Sequence, residues 1–113
     1  MVKDEYIPKR GDIVWIDLFG TLGHEQSGRR PALIISPVEY NKKIGLVLAC
    51  PITSISKRYP HEARIAETKI KGVVLSDQVR SIDWKARKAE FAESVPSTVI
   101  DDVEAKLLTL IQS

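Results

Sequence analysis

Glu25 and Arg30 stand five residues apart in the stretch GHEQSGRRPALIIS, with Arg29 beside the second, and a further polar stretch, TSISKRYPHE, carries Thr53, Ser54, Lys57 and Arg58. An acid, hydroxyls and cations gathered around one point suit phosphoryl transfer: cations and hydroxyl donors stabilise the extra charge on a pentacoordinate phosphorus, and a carboxylate takes a proton. RNA fits this chemistry because its ribose 2′-OH already lies beside the phosphodiester, so a protein need only position, deprotonate and neutralise. Such a scheme uses no metal, and the chain is poor in ligands for one. Its one cysteine, Cys50, excludes an internal disulfide and a cysteine-based metal cluster, and its two histidines are too far apart in sequence to suggest a zinc site. Charged loops are nevertheless plain solvated faces in most proteins, so the chemistry depends on what brings these two together.

The segments flanking the loops read as strands. DIVWIDL, residues 12–18, is β-branched and aromatic and follows the turn signal Arg10-Gly11, which predicts a strand buried on both faces. FGTLGHEQSGRR then holds three glycines without periodicity, a long connection for a small domain and therefore suspect as functional. PALIISPV and IGLVLACPI are two more strands, with Pro31 and Pro51 at strand ends where a missing N–H is tolerated, and the intervening EYNKK reads as a turn around Asn41. ARIAE is a weaker strand, and GVVLSDQVRSIDW and ARKAEFAES add at least two more. If the strands flanking the two polar loops pair, the loops meet at one end of the sheet. Trp15 and Trp84 are expected in core or interface packing, and Cys50 as a small buried hydrophobe.

Helical period occurs after Pro96, where Ile100, Val103, Leu107, Leu110 and Ile111 follow three-and-four spacing. Ser97 or Thr98 is the expected cap, and Asp101, Asp102 and Glu104 fall near the positive end of the helix dipole. Five to seven short strands with one terminal helix predict a mainly β fold, a small antiparallel barrel or curled sheet closed by that helix.

A chain of 113 residues corresponds to one domain, residues 1–113, and its 43% hydrophobic and 28% charged composition is that of a soluble globular protein. No run reaches the ~18 apolar residues of a membrane span. The opening MVKDEYIPKRGD lacks the apolar core of a secretory signal, so a cytoplasmic location is expected. The net charge of +2 conceals an asymmetry: residues 1–88 carry 16 Lys and Arg against 10 Asp and Glu, a balance of +6, whereas residues 89–113 carry 1 against 5, a balance of −4. The basic part is where a polyanion would land.

GDIVWIDLFGTLGHEQSGRRPALIISP resembles the opening of the MazF/PemK family of toxin endoribonucleases, whose members show a G-D-[IVL]-[IVW]-W-[VI]-[DN] strand, a G-x-E-Q-x-G-x-R-P loop and a following S-P. The likeness continues through YN, CPITS, KRYP, GVVLSDQVRSIDWKAR and the closing helix, covering nearly the whole chain. The resemblance implies an SH3-like barrel related to the gyrase poison CcdB, assembled as a symmetric homodimer with RNA across the subunit interface. It also implies cofactor-free, metal-independent cleavage of single-stranded RNA, usually mRNA, at short motifs. The 2′-OH attacks, leaving a 2′,3′-cyclic phosphate and a 5′-hydroxyl end.

Carried over position by position, the resemblance assigns catalysis to Arg30 in G-x-R-P, Thr53 after CPI, and Glu25 in E-Q-x-G. It sets Gln26, in the same motif, and Gln78, within SDQVRS, close to RNA. Arg29, Arg80, Ser54 and Lys57 are expected to contact RNA, and Phe19 to stack on a base. His24 departs from the small polar residue common at its position. The strong basicity of a guanidinium assigns Arg30 mainly to clamping the phosphate and its transition state, while the resemblance keeps it as an acid/base candidate beside Glu25 and His24. Glu25 is either the base or the residue that orients Arg30. The implied partner is a MazE-type antitoxin whose disordered acidic C-terminal tail competes with RNA for the basic cleft, promoter DNA being bound only through that antitoxin. Two other classes remain: a gyrase poison on the same fold, which the intact Glu25, Arg30 and Thr53 set disfavours, and a non-catalytic RNA-binding SH3-like module, which would lose that set.

Overall fold

β-branched runs punctuated by glycine and proline become strands, and the one long amphipathic run becomes a helix. The computed structural model describes residues 5–17 and 29–112. Its elements are β1 (Asp12–Ile16), β2 (Arg30–Ile34), α1 (Val38–Ile44), β3 (Val47–Thr53), β4 (Glu62–Arg64), β5 (Val73–Leu75), a 3₁₀ turn (Ser76–Gln78), β6 (Arg80–Ile82), β7 (Glu90–Ser94) and α2 (Ser97–Ile111). The strands pair in the order β4-β5-β3-β2-β1-β7, every ladder antiparallel, with β6 pairing β3 outside that path. Among the described residues no ladder joins the outer strands β4 and β7, so the sheet is barrel-like without closing.

β1, β2 and β3 bury side chains on both faces, as their apolar runs require, with Trp15, Arg30 and Leu48 left exposed. Ile13, Leu33, Cys50 and Ile52 pack with Val99, Ile100 and Val103 of α2, while Val14, Ile16, Ala32, Ile34, Val47 and Ala49 pack with Ile82 and Trp84. Alternate residues of each strand thus serve two apolar clusters, each fully buried Val, Leu or Ile side chain contributing roughly 1.5–3 kcal/mol. Burial also pushes the Cys50 thiol up to about 12, which keeps it a neutral apolar filler.

Two expectations need correction and a third is narrowed. EYNKK is not a turn: it belongs to α1, whose Asn41 is wholly buried. Asn41 Nδ2 donates to the carbonyls of Pro8 (2.7 Å) and Ser36 (3.1 Å), and its Oδ1 accepts from Ser36 Oγ at 2.5 Å. Its backbone carbonyl accepts from Trp84 Nε1 at 2.9 Å. The amide is recruited by tertiary partners rather than by its local turn preference. At α2, Pro96 rather than Ser97 or Thr98 is the N-cap, with no side-chain capping bond; the fixed φ of proline leads into the helix instead. Of the core or interface packing expected of the tryptophans, Trp84 is in the core, whereas for Trp15 the core alternative does not hold: its position in β1 turns it outward, and it is 37% exposed.

Candidate functional site

Antiparallel pairing fixes which loops meet. β1 ends at Ile16, paired with Arg30 at the start of β2; β3 runs against β2 and ends at Thr53, which pairs with Val73 of β5. The end of β1, the start of β2 and the end of β3 therefore share one end of the sheet, as the two-loop scheme requires. A cleft of about 650 Å³ opens there, lined by Trp15, Arg30, Thr53, Ser54, Gln78 and Arg80, with Lys71 and the apolar Pro31, Pro51, Ile52, Ile55, Ile70 and Leu75 completing its walls.

Thr53 is half-buried, and its Oγ1 accepts a hydrogen bond from the Ile55 N–H at 3.2 Å. That bond uses one oxygen lone pair and leaves the hydroxyl able to donate its proton to an acceptor in the cleft. Its backbone is fixed from behind by Gly72: a Cβ built on Gly72 would lie 2.2 Å from the Thr53 carbonyl oxygen, and Gly72 has φ +135°. Only glycine satisfies both the close approach and the backbone conformation.

Two carboxylates hold the segments around the cleft. Glu62 accepts from Ser56 Oγ (2.6 Å) and the Lys57 N–H (2.9 Å), tying down the β3–β4 connection. The Ser56 bond first, then the backbone bonds, hold its carboxyl below the usual carboxylate value. Glu93 of β7 accepts from the N–H groups of Lys69 (3.0 Å) and Ile70 (2.7 Å), and is likewise held low, chiefly by the Ile70 bond. Tyr59 Oη donates to Asp77 Oδ2 at 3.0 Å, joining the β3–β4 connection to the 3₁₀ turn that bears Gln78; this bond raises the phenol's pKa.

Of the residues singled out from sequence, Arg30, Thr53, Ser54, Gln78 and Arg80 line this cleft. Arg29 and Lys57 do not. Arg29 donates to the carbonyls of Trp15 (2.9 Å) and Lys88 and lies 3.4 Å from Glu90, which ties it to the β1 and β7 side. Lys57 is exposed and enters the site region through its backbone bond to Glu62. Glu25, Gln26, Phe19 and His24 lie outside the described residues. Trp15, Lys71 and Gly72 were not among the site residues expected from sequence. The signal for Gly72 was its place at the head of the β-branched GVVL run, but Lys71, within TKIKG, carried none.

The fold and the cleft define a small, barrel-like β protein with a cationic and hydroxyl-bearing site at one end of its sheet, a lining whose chemistry suits an anionic ligand. Comparison with known proteins narrows that class. Residues 9–111 match the family described as PemK-like, MazF-like toxin of type II toxin-antitoxin system, and the chain belongs to it. It is 42% identical over 106 residues to the endoribonuclease toxin MazF of Escherichia coli strain K12, spanning 94% of this chain and 96% of that one. It is 37% identical over 117 residues to an E. coli endoribonuclease PemK, spanning 98% of this chain and 87% of that one. Among solved structures, the MazE-MazF complex (Form-II) of Deinococcus radiodurans contains a chain similar at a TM-score of 0.89 and 45% identity, covering 96% of this chain and 100% of that one.

Proposed function

We propose that this chain is an endoribonuclease toxin that cuts single-stranded RNA, mRNA among it, at short sequence motifs by attack of the ribose 2′-OH on the adjacent phosphorus. The products are a 2′,3′-cyclic phosphate and a 5′-hydroxyl. The observation that carries this reading is the joint lining of one cleft by Arg30 and Thr53, from strands distant in sequence. Arg30 clamps the scissile phosphate with its planar guanidinium fork, and Thr53 donates its hydroxyl to a non-bridging oxygen. Glu25 takes the 2′ proton or orients Arg30. The internal nucleophile and the fixed cations make a metal unnecessary.

In this reading the toxin works in the cytoplasm; no helix among the described residues is long and apolar enough to cross a membrane. It acts as a homodimer, a state supported by the exposed apolar side chains Leu48, Leu110 and Ile111. Its activity is held in check by a MazE-type antitoxin whose acidic tail occupies the RNA cleft, and promoter DNA is reached through that antitoxin. The antitoxin in the related D. radiodurans complex supports this pairing.

The test is incubation of the purified protein with a long RNA in EDTA, followed by mapping of the ends. Cuts at one short motif with 5′-hydroxyl termini, lost in Arg30→Ala, Arg30→Lys and Thr53→Ala, are expected. Intact RNA in the presence of folded, antitoxin-free protein would reject the nuclease and favour a gyrase-directed poison on the same fold.

A further inference from the structure

We propose that Lys71 is an additional RNA-backbone contact of this cleft, gripping a phosphate that flanks the scissile one; the inference rests on the ribonuclease reading above and names a binding residue for it. Lys71 is exposed and lines the same cleft as Arg30 and Thr53.

The segment that presents it is built rather than loose. Glu93 accepts the N–H groups of Lys69 and Ile70, Thr68 Oγ1 donates to the Ile70 carbonyl at 2.8 Å, and Ile65 N–H donates to the Gly72 carbonyl at 3.2 Å. Ordering of this kind removes the backbone's share of the entropy lost on binding, leaving only that of the side chain itself.

The third observation is the register between Lys71 and the reaction centre. Gly72 sits flush against the Thr53 carbonyl, so the residue adjoining Lys71 is in direct backbone contact with the residue that donates to the scissile phosphate. An ammonium on a four-carbon stem starting there meets the RNA backbone beside the bond that breaks. Lysine suits this place because a flanking phosphate needs only a point charge, with no bidentate geometry to satisfy.

The experiment compares wild type, K71Q and K71R. Cleavage kinetics use an RNA strand spanning a mapped cut, and affinity uses a fully 2′-O-methylated single strand of mixed sequence, measured by fluorescence anisotropy over a salt series. One lost phosphate contact lowers the slope of log affinity against log salt by about 0.7, which at 0.1 M salt is about fivefold in affinity. K71Q is therefore expected to raise KM by about fivefold with kcat within about twofold, and K71R to restore both slope and KM. A structural role for Lys71 would not move the salt slope. An unchanged slope and KM in K71Q, while wild type cleaves and Arg30→Ala does not, overturns the inference and leaves the nuclease standing. If wild type cuts no RNA, the nuclease reading falls, and the slope on the methylated strand still decides whether Lys71 binds RNA.

Discussion

At one end of β2 and β3, Asn41 commits its polar groups to the protein, while at the other end Arg30 and Thr53 line an open cleft. The first end is a buried network in which Ser36 Oγ donates to Asn41 and accepts from the Leu48 N–H at 2.9 Å, linking α1 to the start of β3. Its donors and acceptors are satisfied internally, and such a network rigidifies because any unmatched member would be costly at low dielectric. At the second end the backbone is fixed just as firmly, by the β5 ladder and by Gly72, but the side-chain donors face the cavity. The same two strands therefore divide the labour: one end supplies stability, and the other holds donors in place before a ligand arrives, so little reorganisation is needed on binding.

That division is open to attack at each end. The largest effect belongs to Thr53→Val, which removes the donor and keeps the shape. RNA cleavage should fall by roughly 100- to 1,000-fold while stability drops by no more than about 1 kcal/mol, the worth of the lost Ile55 N–H bond, and Thr53→Ser, which keeps the hydroxyl, should retain most of the rate. A stability loss in parallel with the rate loss would mean that the cleft end is structural too. The reverse pattern is expected at the other end. Asn41→Ala leaves buried partners unmatched and should cost about 2–3 kcal/mol in denaturant unfolding, with the rate per folded molecule preserved well below its midpoint. Gly72→Ala sharpens the comparison because it belongs to both regimes: relief of the clash with Thr53 strains the backbone by roughly 1–3 kcal/mol and shifts the donor. Both unfolding free energy and cleavage should suffer. An Ala variant with wild-type activity would show that Thr53 is positioned by something else.

How much of this was legible in the sequence follows the same division. The β-branched runs announced β1, β2, β3 and β5, and the three-and-four spacing announced α2, because in these segments the pattern and the burial agree. The convergence of Arg30 with Thr53 followed from antiparallel pairing of neighbouring strands. What stayed hidden depends on contacts between distant residues. VEYNKKI is too short to display a helical face, and Asn41 looked like a turn residue because its partners, Pro8, Ser36 and Trp84, come from elsewhere in the chain. Core and interface could not be told apart for Trp15 because the pattern along β1 does not reveal that its neighbours at the cleft leave that side chain uncovered. Gly72 could be read as a turn glycine, but its contact with Thr53 exists only once β5 has paired with β3.

The smallest expected effect concerns pH, and it separates the two ends by chemistry rather than by mutation. Asn41, Ser36 and Trp84 hold their network with an amide, a hydroxyl and an indole, none of which titrates in the acid range. The segments around the cleft are held instead by Glu62 and Glu93, whose carboxyls lie below their ordinary value of 4.5 in the folded protein because hydrogen bonds favour the charged form. A depressed folded value contributes stability that is fully present above the unfolded pKa and is lost as pH falls through the folded one. Acidification below 4.5 should therefore lower the protection factor, the exchange rate of an open amide relative to the observed rate at the same pH, at Lys57, Lys69 and Ile70 before it lowers that of the Leu48 N–H, which is bonded to Ser36. Glu93→Gln should already exchange faster at Lys69 and Ile70 at neutral pH and show a weaker acid response there. An equal loss of protection at Leu48 and Ile70 on acidification would mean that the two ends open together, and the division of labour between them would not hold.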